Sequence, residues 1–98
     1  MKRDAIAIRT EDNVATAIRN LDAGDEVAVG IGEKVMRVKL CQSIEYGHKL
    51  ALKEIAAGEK ILKYAAVIGK ATRAIKVGEH VHVHNVESLR GRGDLQAS

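Results

Sequence analysis

A pattern of aliphatic residue, two residues, glycine, two residues, aliphatic residue occurs four times in this chain and limits its fold more than any other feature. The copies are Leu21-Asp22-Ala23-Gly24-Asp25-Glu26-Val27, Ile44-Glu45-Tyr46-Gly47-His48-Lys49-Leu50, Ile55-Ala56-Ala57-Gly58-Glu59-Lys60-Ile61 and Ile75-Lys76-Val77-Gly78-Glu79-His80-Val81. The glycine takes a left-handed backbone conformation that other residues resist. Each copy therefore reads as a corner: the first aliphatic side chain anchors a turn, and the chain leaves as a strand whose first buried position is the second aliphatic residue. Four corners with no helix long enough to cover a parallel sheet imply a mostly β, folded-over structure of short strands and hairpins.

The rest of the chain fits that class. Its 98 residues make one small domain, and the hydrophobic 46% contains no Phe, no Trp and only Tyr46 and Tyr64. The core is aliphatic and rich in β-branched residues, which favour strands. Ile6 and Ile8 alternate as on one face of a strand. Val14, Ala17, Ile18 and Leu21 recur at helical spacing, so one short helix is expected here, capped by Thr10 or Asp12 and stopped near Gly24. Strand spacing returns with Val27 and Val29, then Val35, Val38 and Leu40, joined through Gly30-Ile31-Gly32. Residues 1–89 are expected to form the domain, and the glycine-rich, charged residues 90–98 a flexible tail or an arm ordered by a partner.

Composition also narrows the function. The single cysteine, Cys41, has no internal disulfide partner and is expected as a small buried thiol. Lys2, Arg3 and Asp4 follow Met1 with no apolar leader, and no apolar run approaches a membrane span, so a soluble cytoplasmic protein is expected. The net charge of +3 conceals a basic middle: residues 34–76 hold ten basic and three acidic side chains. Such a patch attracts an anionic small molecule, an acidic partner or a nucleic acid. With only two tyrosines to stack on bases, nucleic acid is the least favoured of these. There is no phosphate loop, no paired-cysteine zinc site and no Gly-x-Ser-x-Gly elbow.

Chemistry is concentrated in two places. In His80-Val81-His82-Val83-His84-Asn85 a strand would set the three imidazoles on one face and send both valines to the core. At about 3.3 Å per residue they stand roughly 6.6 to 7 Å apart, wide for one shared ion. Two of them with a ligand from another element could hold a metal, and neutral imidazole also passes protons near neutral pH. The plain alternative is a solvated histidine face. The second place is Gly47-His48-Lys49, where a histidine and a lysine leave a corner together. The lysine can pair with a substrate carboxylate, and the histidine can act as acid or base. A plain solvent-facing turn is the alternative there. A domain this small rarely encloses a substrate, so these groups are expected to complete a site built largely by another chain.

The residues Gly47-His48-Lys49-Leu50-Ala51-Leu52 and Gly78-Glu79-His80-Val81-His82-Val83-His84-Asn85 carry a resemblance to a known family. Over about residues 4–89 the chain resembles the SAF domain of altronate and galactarate dehydratases, which also occurs as the alpha subunit of sulfolactate sulfo-lyase. The resemblance implies a β-clip fold and a role in a lyase that removes water, or sulfite, from a 2-hydroxy acid, with ferrous iron as cofactor. Altronate dehydratase is also called altronate hydrolase. His48 and His82 are then the candidate catalytic residues, Lys49 and Asn85 the candidate substrate contacts, and His80, His82 and His84 the candidate metal ligands. Because the sequence stops at Ser98, a separately encoded large catalytic subunit is the expected partner, unless the chain is an excised piece. A sulfolactate sulfo-lyase alpha subunit, or a non-enzymatic module that binds sugars or anions, is the competing reading, and a homo-oligomer is left open.

Overall fold

The computed structural model describes residues 3–88, so the expected tail at 90–98 lies outside the described residues. The four repeats form four corners of one construction. In each, the residue after glycine donates its N–H three residues back: Asp25 to Asp22, His48 to Glu45, Glu59 to Ala56 and Glu79 to Lys76, at 2.9 to 3.2 Å. Gly24, Gly47, Gly58 and Gly78 sit in the third position with φ of 87°, 85°, 86° and 83°, as a type II turn requires. All eight aliphatic anchors are buried.

The corners meet in pairs. Leu21 and Ile44 exchange backbone N–H···O=C bonds of 2.8 and 2.9 Å, and Ile55 and Ile75 do the same at 2.9 and 2.8 Å. The first pair seats an apolar cluster with Val27, Val29, Val38, Leu40 and Leu50, and the second seats another with Val14, Ala51, Ile61, Ala71 and Val81. One sheet contains β1 (Ala5–Ala7), β2 (Val14–Ala17), β3 (Glu26–Ile31), β4 (Lys34–Lys39), β5 (Lys49–Ala51) and β8 (His80–Val81), in the order β4-β3-β1-β2-β5-β8. The other contains β6 (Lys60–Lys63), β7 (Ala66–Ala71) and β9 (Val86–Ser88), in the order β6-β7-β9. β5 belongs to both cores, with Leu50 facing the first and Ala51 the second. The mostly β class holds.

The expected helix does not form. Val14–Ala17 is β2, antiparallel to β1 and β5, and Leu21 is the first anchor of a corner. The apolar spacing of that stretch fits a strand followed by a corner equally well, and backbone pairing on both sides of β2 decides between them. Along β1 the buried residues are Ala5 and Ala7, while Ile8 is 49% exposed, because the inner face between β1 and β2 is lined by alanines. Val35 points outward, and Val38 and Leu40 point in. Of the two glycines near the β3–β4 reversal only Gly32 takes a positive φ, and Gly30 lies within β3. Cys41 is exposed rather than buried: Leu40 turns inward, and the next residue faces out with its thiol 3.3 Å from the Val77 carbonyl oxygen. Among the described residues no helix is long and apolar enough to cross a membrane.

Asp12, expected as a helix cap, holds two chain reversals instead. Its buried carboxylate accepts the N–H groups of Ile8 and Arg9 at 3.2 Å, Tyr64 at 2.9 Å and Ala65 at 2.7 Å. Tyr64 and Ala65 both have positive φ, of 54° and 62°, at the tip of the β6–β7 hairpin, and these bonds keep that unfavourable turn closed. Burial raises the Asp12 pKa, but the four backbone bonds, from Ala65, Arg9, Ile8 and Tyr64, outweigh it and hold the carboxyl below its ordinary 3.8.

A group depressed in this way stabilises the fold above its unfolded pKa, and that stabilisation is lost as pH falls through the folded value. Asp12→Asn is expected to cost about 2 to 3 kcal/mol at neutral pH, since an amide oxygen cannot accept all four bonds. Its urea midpoint should also change less than wild type between about pH 4 and pH 2. A second test compares glycines. Gly24→Ala and Gly78→Ala both carry the positive-φ cost of about 1 to 2 kcal/mol. The added methyl at Gly24 meets nothing within 4 Å, whereas at Gly78 it runs into the Lys39 carbonyl oxygen, so thermal melts should show Gly78→Ala clearly the less stable.

Candidate functional site

β5 and β8 pair antiparallel, with Lys49 opposite Val81 and Leu50 opposite His80. One residue further, that register sets His48 opposite His82 and diagonal to His80. The rings of His48 and His82 stack at 4.2 Å between centroids, and His80 lies 5.2 Å from His48 and 5.4 Å from His82. His48 Nδ1 and His80 Nε2 are 2.9 Å apart and share a hydrogen bond. His48, His80 and His82 each offer a ring nitrogen within 4.8 Å of the others, a spacing compatible with one metal ion. His84 is exposed, tilted by 34° against His80 at 5.1 Å, and outside that set.

Local structure holds these rings. The corner at Gly47 fixes His48, whose carbonyl accepts from Ala17 at 2.8 Å. His80 donates its N–H to the Gln42 side chain at 2.9 Å. β8 ends at Val81, and the chain then reverses from His82 to Asn85. Val83, expected in the core with Val81, is therefore 81% exposed. Asn85 closes the reversal: its Oδ1 accepts from the His82 N–H and its Nδ2 donates to the His80 carbonyl, both at 2.9 Å. It is fully buried, so its side chain positions the histidines from behind rather than facing an open surface.

The electrostatics favour the neutral form of His80 and His82. His80 is pushed below its ordinary pKa by burial first, then by His84, His48 and His82. His82 moves the same way through burial, His48, Lys49 and His84, and Glu45 opposes both shifts. Neutral imidazole is the form that ligates metals and accepts protons. Ferrous iron is among the divalent ions that such nitrogen donors suit, and three histidines leave coordination positions for ligands from elsewhere.

Beside the cluster an open cleft of about 650 Å³ separates the β5–β8 edge from the second sheet. Lys49, Lys63 and His82 supply its charge and polarity, and Ile68, Val81, Val83 and Val86 supply apolar wall. Lys49 is half-buried, and burial followed by the nearby Lys63 lowers its pKa. The structure thus brings His48, Lys49, His80 and His82 to one place and leaves His84 at its margin. Two features were missed from sequence: Lys63 as a cleft residue, and the union of His48 with the His80–His82 pair. The repeats carried a signal for the second, since His48 and His80 both lie just after the glycine of a copy, in corners two and four, which lead into β5 and β8.

The family described as the altronate/galactarate dehydratase SAF domain matches residues 3–89. This chain belongs to that family. The SAF domain is 42% identical over 83 residues to altronate dehydratase of Escherichia coli and 37% identical over 84 residues to altronate dehydratase of Bacillus subtilis. Each match covers 85% of this chain and 16% of the relative, so the SAF domain spans a small part of the altronate dehydratases it resembles. It is 40% identical over 58 residues to the alpha subunit of (2R)-sulfolactate sulfo-lyase from Chromohalobacter salexigens, covering 59% of this chain and 62% of that subunit.

Asn85→Ala is expected to leave the His82 N–H and the His80 carbonyl unpaired, at a cost of about 2 to 3 kcal/mol. Thermal unfolding measures that loss. The ring resonances of His48, His80 and His82 should move together in the NMR spectrum, since one side chain positions the cluster.

Proposed function

We propose that this SAF domain is the small component of a sugar-acid lyase of the altronate dehydratase type, assisting the elimination of water from a hexonate together with a large catalytic subunit. The observation that carries the proposal is the gathering of His48, His80 and His82 beside a cleft that also presents Lys49. Elimination needs a base for the weakly acidic C2 proton, positive charge or hydrogen-bond donors for the enediolate, and an acid for the departing hydroxyl. Lys49, an ammonium at the start of β5, pairs with the substrate carboxylate and favours the build-up of negative charge next to it. The His48 Nδ1–His80 Nε2 hydrogen bond gives a path along which one ring takes up a proton as the other releases one. His82, shared between cluster and cleft, is the acid or base nearest the substrate. Asn85 keeps His80 and His82 in register.

His48, His80 and His82 would hold ferrous iron, with His84 flanking them. Bound there, the ion supplies Lewis-acid polarisation of a substrate oxygen. The large partner provides the remaining ligands and walls, in keeping with an open cleft. The setting on this reading is the cytoplasm, where an exposed, unpaired Cys41 stays reduced. A second reading, the alpha subunit of a sulfolactate sulfo-lyase, is favoured by one observation: that relative is itself a subunit, and 62% of it aligns with this chain.

The test is reconstitution with the large partner and ferrous iron. His82→Ala is expected to lower turnover of a hexonate by about a hundredfold or more and to reduce bound iron, with His84→Ala the milder change. Wild-type turnover and iron content in both variants would refute the assignment. Calorimetry with hexonates separates a binding module from the lyase: tight binding by this chain without a partner favours the module.

A further inference from the structure

Asn13 is buried immediately before β2 and bonds to both sheets. Its carbonyl accepts from Leu52, the residue after β5, at 2.9 Å, and its N–H donates to the Leu62 carbonyl of β6 at 3.2 Å. The side-chain amide reaches β6 as well: Nδ2 donates to the Lys60 carbonyl at 2.9 Å, and Oδ1 accepts from the Leu62 N–H at 2.7 Å. A carbonyl and an N–H two residues apart point to the same side of a strand, so one planar amide pairs with both, as a neighbouring strand would. β6 is an edge of its sheet, and Asn13 occupies that edge at this point.

The same point is where the β6–β7 hairpin is irregular. Ile61 stands opposite Gly69 and Leu62 opposite Val67, which leaves Ile68 as an extra residue on β7. A bulge re-aims side chains that regular alternation would send to opposite faces. Here Val67 and Ile68, adjacent in the chain, both line the cleft, together with Lys63 from β6. The opposite wall, with Lys49 and Val81, belongs to the paired strands β5 and β8. Both walls are thus tied to one residue, β5 through Leu52 and the bulged hairpin through Lys60 and Leu62.

We infer that Asn13 is a positioning residue for the cleft: its amide holds the bulged hairpin at a fixed distance from β5, and so sets the width of the cleft and the place of Lys63 without touching a ligand. Asp12 pins the tip of the same hairpin through Tyr64 and Ala65, whereas Asn13 holds its first strand. An apolar side chain of similar size at position 13 leaves a buried N–H and a buried carbonyl unpaired, and the hairpin then moves away from β5 to pair them with water. The bearing on catalysis rests on the reading of the cleft as the place where substrate is held.

The test uses the full chain, isotope-labelled, as wild type, Asn13→Leu and Val29→Ala. The last opens a cavity in the first core and lowers the melting temperature at a distance from the hairpin. In the wild type one Nδ2 proton of Asn13 is expected to exchange slowly with solvent. In Asn13→Leu, amide exchange across residues 61–71 should quicken about tenfold or more relative to β3, and the nuclear Overhauser contacts between the Ile68 and Val81 methyls should weaken. Val29→Ala should neither raise that ratio nor weaken those contacts. A freely exchanging Asn13 amide in the wild type, an unchanged hairpin in Asn13→Leu, or equal changes in both variants would each overturn the inference. In the complex reconstituted with the large partner, Asn13→Leu should raise KM for a hexonate about tenfold with kcat and bound iron near wild type, because other residues hold the histidines. A fall in kcat at unchanged KM also overturns it, and leaves the lyase standing. A cleft that widens in Asn13→Leu, in a protein whose wild-type complex eliminates nothing, sinks the lyase and leaves the positioning role intact.

Discussion

Everything in this fold depends on a turn that glycine alone enters cheaply. At Gly24, Gly47, Gly58 and Gly78 the backbone takes nearly the same positive φ, and on either side an aliphatic residue is driven into the interior. Because such a turn leaves its own flanking N–H and carbonyl groups to be paired, the corners dock on one another, Leu21 on Ile44 and Ile55 on Ile75. Each docked pair closes over a separate apolar cluster. A domain without phenylalanine or tryptophan is thereby organised around two small aliphatic cores, joined through β5, instead of one large one.

The histidine cluster is a consequence of that architecture. Corner two delivers His48 to the start of β5, corner four delivers His80 to β8, and the pairing of these short strands sets His48 across from His82. Burial and the neighbouring histidines favour the neutral form of His80 and His82, the state suited to holding a metal or moving a proton. Through hydrogen bonds from their side chains to the backbone of His80 and His82, Asn85 and Gln42 hold the cluster's backbone in place. The cleft beside it is open, and the domain that carries it matches only 16% of the length of each altronate dehydratase it resembles.

Legibility followed the range of the interactions. The corners were readable because each is a local event within seven residues, and so was the mostly β class. The helix at 14–21 was misread because Val14, Ala17, Ile18 and Leu21 satisfy two periodicities, and the choice is made by pairing with β5, more than thirty residues away. Ile6 and Ile8 were placed on one face of a strand, but the inner face there belongs to Ala5 and Ala7, since hydrophobicity alone does not reveal how closely two layers approach. Val83 was misplaced because strand alternation was extended past the end of β8, where Asn85 turns the chain back.

For the site, the sequence by itself determined the chemical inventory: His48 and Lys49 at one corner, His80, His82 and His84 after another, and the glycines that fix both. Residue type and local turn geometry were enough for that. Which imidazoles share one space, that His84 stands apart from them, that Asn85 supports from behind and that Lys63 faces Lys49 across a cleft were decided by the tertiary structure alone. Each depends on strand register and on how one sheet lies against the other, and these are set by contacts between residues far apart in the chain.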